Sequence, residues 1–313
     1  MSIDLIIKPR QVVSWEEFCR TVPPFSIGLD GYVRGAPQYD SSGPRLNLNH
    51  HEGVDRLATS STSGQVFNYV KAELFRRFQE QGIPEAIIHI NDPDQDTSLA
   101  VWLLRNHGRI ERYKSEPLLS RLIFAQDKMD IFGGLYPFEP QEELMQELFW
   151  IFQPYSDARH RVPTMGTEEM RTIVEAVGSR IDVYSVGRGE KLAIDVRTHY
   201  EILHQGRTWS LVEEKGPHAR TGLYHAGIHA FATYKGKTPA NQHHYSLGKL
   251  SPFIEFSLTV IYDQLNQQEE IMDDDPDRWG GGDTQGGSPR NRGSQFAPQE
   301  LFLAIEGIQN RFR

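Results

Sequence analysis

The chain has 313 residues, enough to bury one large core or two moderate ones, and two domains is the better expectation. With 38% hydrophobic and 24% charged residues it has the composition of an ordinary globular protein, which excludes a disordered or fibrous chain. The formal net charge of -9 argues against a broad basic face that coats nucleic acid, but allows a local pocket for a few phosphates.

No apolar run approaches the length needed to cross a bilayer, and the N-terminus lacks a basic-then-apolar signal pattern, so no membrane contact is expected. The one cysteine, Cys19, leaves no internal disulfide and no cysteine-rich metal site, which fits a reducing cytoplasm.

In chain order, Phe25–Leu29 follows a Pro-Pro pair and runs into Asp30-Gly31, the pattern of a short strand ending in a turn. A polar loop continues to about Thr62. Val66, Tyr69, Val70, Leu74 and Phe78 recur at helical spacing and predict a helix from Gln65 to Gln81, with Gly82 as its C-cap. Ala86-Ile87-Ile88-His89-Ile90 suits a buried strand of a parallel sheet. Thr97 to Asn106 is apolar at helical spacing again. Alternating strands and helices predict an α/β domain with a parallel sheet.

Glu139 to about Val177 reads as two helices connecting two domains. Beyond them lie short β-rich stretches at Leu192–Val196, Thr208–Glu213, Thr221–Tyr224 and Ile228–Tyr234. A helix from about Phe253 to Gln268, a Gly/Ser-rich loop over Gly280–Ser294 and a last helix near Pro298 complete the chain. The expected division is residues 1–138, a parallel-sheet α/β domain; 139–190, a helical connector; and 191–313, a smaller mixed α+β domain.

Three constellations carry chemistry. His89-Ile-Asn-Asp-Pro-Asp94-Gln-Asp96 lies at a strand end, where ligands of open α/β sheets gather; the alternative is an acidic helix start with Asp96 as cap. Asn49-His50-His51-Glu52 follows Asp30 in the chain, and adjacent imidazoles in a polar loop can equally be solvated. Asp127-Lys-Met-Asp130 follows the apolar Leu122–Ala125 and alone reads as a surface turn. Together, imidazoles and carboxylates without thiolate suit Mn²⁺ or a similar ion, and two such ions can act on a phosphoryl group.

His89, Asp94 and Asp96 resemble the first motif of the DHH phosphoesterase superfamily. Ile27-Gly-Leu-Asp30-Gly-Tyr and Asn49-His50-His51 are similar to its second and third motifs, with Asn49 where the family's namesake Asp stands. Phe124-Ala-Gln-Asp127 resembles the fourth. Tyr245-Ser-Leu-Gly-Lys249-Leu-Ser251 and the Gly280–Arg290 run resemble the DHH-associated C-terminal domain. The His/Asp/Asp motif stands first in the family but follows the Asp30 and His50-His51 motifs here, so the motif order is permuted.

The resemblance implies a metal-dependent phosphoric ester hydrolase of exonuclease type, acting on a nucleotide or short oligonucleotide. It implies two divalent ions, Mn²⁺ or Mg²⁺. His89 and Asp94 would hold one, Asp96, His50 and Asp127 the other, with Asp30 bridging. Asp30 and His51 would be catalytic, His51 by contacting the phosphoryl group. Arg56, Lys249, Gly286, Gly287, Ser288 and Arg290 would bind the rest of the substrate. The rivals are a pyrophosphatase-like hydrolase of small phosphates and a non-catalytic nucleotide- or metal-binding protein.

Overall fold

The apolar run ending in His89-Ile90 becomes an interior strand of a largely parallel sheet in a computed structural model of the chain, which describes residues 2–133, 139, 142–192, 198–216, 219–238, 240–275 and 277–311. Two compact units form, one from Met1–Ile131 with Phe138–Ile194 and the other from Phe132–Pro137 with Asp195–Arg313. Each unit has its own sheet and core, and the class is α/β.

The first unit contains β1 (Ser2–Ile7), α1 (Trp15–Thr21), β2 (Ser26–Leu29), β3 (Gln38–Asp40), β4 (Arg45–Leu48), α2 (Thr62–Lys71), β5 (Gln79–Glu80), β6 (Ile83–Ile90), α3 (Gln95–Arg105), α4 (Pro117–Ile131), α5 (Glu143–Ala158) and α6 (Thr167–Ser185). Its sheet has the order β1-β6-β2-β4-β3. The first four strands are parallel, β3 is antiparallel at one edge, and β5 pairs antiparallel with β6. Ile27, Leu29, Leu46, Leu48, Ile88 and Ile90 are fully buried, which explains why these strands read as apolar runs rather than alternating ones. The carboxyl ends of the neighbouring strands β6, β2 and β4 open onto one edge, where an α/β sheet places its ligands.

Two expectations change here. The helix predicted over 65–81 stops at Lys71, because Glu73 is left-handed at φ 65° and a short 3₁₀ turn follows. Gln81 (φ 51°) and Gly82 (φ 81°) then form the turn between β5 and β6, so Gly82 closes a hairpin rather than a helix. The second change concerns the connector. Met145, Leu148, Ile151 and Phe152 of α5, with Met170, Val174, Val177 and Ile181 of α6, share one apolar cluster with the sheet and α3. Both helices therefore belong to the first unit.

The second unit contains β7 (Tyr200–Gln205), β8 (Ser210–Glu214), α7 (Ala219–His225), β9 (Ala230–Lys237), β10 (His243–Lys249), α8 (Leu258–Gln268), β11 (Gly280–Gly281), β12 (Gln285–Gly287) and α9 (Pro298–Arg311). Its sheet runs β11-β12-β10-β9-β8-β7, with β8 and β9 parallel and the other pairs antiparallel. Leu211, Ala232 and Leu247 pack with Leu258, Ile261 and Leu265 of α8 and with Leu301, Ile305 and Ile308 of α9.

Thr221–Tyr224, expected as β, lies in α7, where Ala219 and Leu223 sit one turn apart and are both buried. The strand expected over Leu192–Val196 falls almost wholly outside the described residues. Among the described residues, no helix is long and apolar enough to cross a membrane.

Candidate metal centre

The site starts from a turn. Tyr32 N–H donates to Leu29 O (3.0 Å), and the two residues between them, Asp30 (φ 51°) and Gly31 (φ 81°), are both left-handed. An Asp-Gly pair accommodates that geometry because aspartate tolerates the left-handed region and glycine has no Cβ. The turn leaves the Asp30 carboxylate buried at the end of β2 and surrounded by donors. Oδ1 accepts from Thr62 Oγ1 (3.0 Å) and lies 2.7 Å from His51 Nε2, and Oδ2 accepts from Thr97 Oγ1 (3.0 Å).

The neighbouring β4 ends at Leu48 and delivers Asn49, His50 and His51. Asn49 Nδ2 donates to Gly35 O (2.9 Å) and Val33 O (3.3 Å), and Oδ1 accepts from His51 N–H (3.0 Å). Two carbonyls on one side and an N–H on the other fix which way the amide points. An aspartate could not donate to either carbonyl, so the Asn that departs from the family motif is required by the local fold. It supports the His51 backbone, not an imidazole.

His51 Nδ1 lies 3.4 Å from Arg56 Nη1. A guanidinium only donates, so Nδ1 is the acceptor and Nε2 carries the hydrogen toward Asp30. The ring's side chain is 40% exposed, against 0% for His50, so His51 forms the open rim of the cluster.

Asp94 and Asp96 follow β6. Asp94 caps α3, accepting Thr97 N–H at 2.8 Å, so the cap is Asp94 and not Asp96. Asp96 instead accepts the first amides of α2, from Thr62 (2.6 Å) and Ser63 (3.0 Å). Asp127 and Asp130 both lie on α4, one turn apart. Asp127 accepts Ser61 N–H (2.7 Å) and is paired with Lys128 Nζ (2.9 Å), whereas Asp130 Oδ2 reaches His50 Nε2 at 2.7 Å.

His50 is the centre of the arrangement. It is 1% exposed, and Nε2 faces Asp130 Oδ2 at 2.7 Å, Asp30 Oδ1 at 3.6 Å and Asp96 Oδ2 at 3.9 Å. Neither ring nitrogen has a hydrogen bond of proper geometry. A buried imidazole aimed among three carboxylate oxygens, at ion-pair distance from one but off hydrogen-bonding geometry, fits a metal ligand. Asp30, His50 and His51 form one compact group of potential ligands, and His50, Asp96 and Asp130 another.

The electrostatics agree with a site built for a cation. Burial penalises the His50 cation, but Asp130 and Asp30 override it and push the ring up to about 10. Burial, then Asp130 and Asp30, push Asp96 up to about 7. Burial, then Asp30 and Asp92, hold Asp94 well above the usual carboxylate range. Asp30 goes the other way: despite burial, His51 and His50 hold it well below that range. Crowded buried carboxylates that cannot all ionise together favour a cation among them.

No protein-family model matches this chain, and no curated protein matches its sequence. The case for the site therefore rests on its own geometry.

Of the expected ligands, Asp30, His50 and Asp96 converge, and Asp94 lies beside them. His89 does not join them. In β6 alternate side chains face opposite sides of the sheet, and its ring packs against Phe18 (5.5 Å between centroids) and Tyr32 (5.4 Å), with Nε2 3.3 Å from Ser26 Oγ. Burial and nearby Lys8 push this histidine down to about 4, as suits a neutral core ring.

Asp127 is a second correction, because its charge holds the entry to α2 and Asp130 takes the place beside His50. Helical spacing of Leu119, Leu122 and Ile123 was the signal that Asp127 and Asp130 share a helix. The hydroxyls of Thr62 and Thr97 carry no such signal.

Arg56, expected to bind substrate, is committed to the end of α4. It donates to Asp130 O (2.8 Å) and Ile131 O (3.1 Å), with Asp130 Oδ2 at 3.5 Å. In the second unit, Ser288 Oγ accepts Tyr245 N–H (3.0 Å), and Gly286 and Gly287 pair in β12. A Cβ at Gly286 would meet Tyr262 Oη and Gly280 O, and one at Gly287 would meet Tyr245 O, so close packing already requires both glycines. Lys249 is buried with Nζ 3.4 Å from Ile254 O, and burial lowers its pKa; Arg290 is exposed.

Proposed function

We propose that this chain is a metal-dependent phosphoric ester hydrolase acting on a nucleotide or short oligonucleotide. One observation carries the reading: the buried His50 Nε2 that faces Asp130, Asp30 and Asp96 without a directed hydrogen bond. One imidazole and several carboxylates, with no thiolate, match Mn²⁺ or Mg²⁺ better than a soft ion. His50, Asp96 and Asp130 would hold the cation, with Asp30 alongside. When bound it would supply a positive charge beside a phosphoryl oxygen and make a nearby water more acidic.

The chain's own groups do the rest. Asp30 accepts the Nε2 hydrogen of His51 and fixes that ring at the open rim of the cluster. A phosphoryl oxygen arriving there would compete with Asp30 for that hydrogen, the one N–H of the neutral ring. Thr62 and Thr97 hold both oxygens of Asp30. Arg56 holds the backbone that carries Asp130.

The test is Mn²⁺-dependent turnover across dinucleotides, cyclic dinucleotides, nucleoside bisphosphates and pyrophosphate, beside Asp130→Asn. Release of mononucleotides that Asp130→Asn abolishes supports the reading. Turnover of pyrophosphate alone would favour the small-phosphate hydrolase. The location of His89 outside the cluster favours one further rival, a metal- or nucleotide-binding protein, which would bind Mn²⁺ and turn over nothing in the panel.

A further inference from the structure

We infer that this centre holds a single divalent cation and not the pair that the motif resemblance implies. This rests on reading the cluster as a metal centre, and it concerns how many ions the cluster can hold.

One ligand of the implied pair is absent from the cluster. The second ion was to sit on His89 and Asp94. His89 is 3% exposed and packed edge-on to Phe18 and tilted against Tyr32 in a small apolar cluster, on the face of β6 opposite Ile88 and Ile90. Its parallel neighbour on that face is Gly28, where even a Cβ would meet Val33 at 2.5 Å and Phe18 at 3.6 Å. So closely packed a face holds the ring in the interior of the unit, away from the ligand groups. Without His89, Asp94, which also caps α3 at Thr97 N–H, is the one remaining member of that expected ligand pair.

Asp30, the implied bridge, is already engaged. A carboxylate oxygen has two lone pairs. Asp30 Oδ1 already faces two donors, His51 Nε2 and Thr62 Oγ1, and Oδ2 accepts from Thr97 Oγ1. Bridging two ions would require it to release donors that are part of the folded framework.

The two compact ligand groups share His50. An imidazole Nε2 has one lone pair and binds one ion. The two groups therefore cannot each hold its own ion through that nitrogen. His50 Nε2 stands 3.6 Å from Asp30 Oδ1 and 3.9 Å from Asp96 Oδ2, spacings between those of adjacent and opposite ligands around an ion with bonds of about 2.1 Å.

The experiment uses the full chain, stripped with a chelator and dialysed against Mn²⁺, with bound metal quantified directly and examined by electron paramagnetic resonance. The expected result is about one Mn²⁺ per chain with the resolved hyperfine lines of a magnetically isolated ion, where a two-metal site has its ions about 3.5–4 Å apart. His89→Gln should bind the same amount, and Asp130→Asn should retain far less at the same free Mn²⁺.

About two Mn²⁺ per chain with an exchange-coupled spectrum would overturn the inference while leaving the metal centre standing. No bound Mn²⁺ in the unmodified chain would overturn the metal centre itself, and the inference with it. Should His89→Gln fail to fold, the stoichiometry and spectrum of the unmodified chain decide alone.

Discussion

His50 Nε2 lies 2.7 Å from Asp130 Oδ2, yet the pair is outside hydrogen-bonding geometry. Asp127, one turn earlier on α4, spends its charge on Ser61 N–H instead. The two aspartates should therefore separate by substitution. Asp130→Asn is expected to weaken Mn²⁺ binding by about a hundredfold or more, since it removes a charged ligand from a buried site. Asp127→Asn should keep Mn²⁺ binding and lower stability by about 1–3 kcal/mol through the weakened acceptor at the α2 entry. Calorimetric titration and a denaturant melt of each variant check both outcomes.

Proton release offers a second check. Burial disfavours the charged His50 ring, but Asp130 and Asp30 raise it to about 10, with Arg56 opposing. A raised folded pKa means that the His50 charge stabilises the metal-free protein fully below the ring's ordinary value and is lost as pH rises through about 10. A metal takes the neutral ring, so binding must expel that proton. Between about pH 7 and 9, Mn²⁺ affinity should rise by up to about tenfold per pH unit, with about one proton released from His50. Titrations in buffers of different ionisation enthalpy measure the release, and a pH-independent affinity would contradict it.

An aspartate at position 49, as in the motif that this stretch resembles, should do harm. Asn49→Asp would place a carboxylate against Gly35 O and Val33 O, which now accept from the amide. Asn49 is 1% exposed, so water cannot repair the loss. The expected cost is about 1–3 kcal/mol or more of folding stability, because two buried carbonyls lose their donor and face a charge. A thermal melt showing an unchanged or raised midpoint would refute this account of the departure.

Arg56 is expected to act through Asp130 rather than on substrate. Arg56→Lys retains a positive charge but cannot span Asp130 O and Ile131 O with separate nitrogens. It should weaken Mn²⁺ binding by about tenfold, as loss of a group orienting a ligand does. A substrate-binding role would instead raise KM with Mn²⁺ affinity unchanged, so measuring both distinguishes the two.

Sequence alone determined the α/β class and several elements, because apolar runs such as Ile87–Ile90 and the buried face of α3 are local signals of burial. It also determined that Asp30 ends a strand in a turn, since Asp-Gly suits the left-handed pair at φ 51° and 81°. The side-chain chemistry of His50 and Asp96 was legible for the same reason: imidazole and carboxylates at strand ends attract cations wherever the chain brings them together.

Which residues meet was decided by tertiary structure. Strand phase turned His89 into the Phe18–Tyr32 cluster, and no pattern in the His-Ile-Asn-Asp run announces that phase. Helix rotation gave Asp127 to the α2 entry and Asp130 to His50. The apolar faces of α5 and α6 could have belonged to either unit, because periodicity says that a face is buried but not against what. The glycines of β12 look like loop residues in sequence, and only Tyr262 and the neighbouring backbone explain why they have no side chain. Local chemistry is written in one dimension; distances such as 2.7 Å between His50 and Asp130 arise only when strands and helices pack.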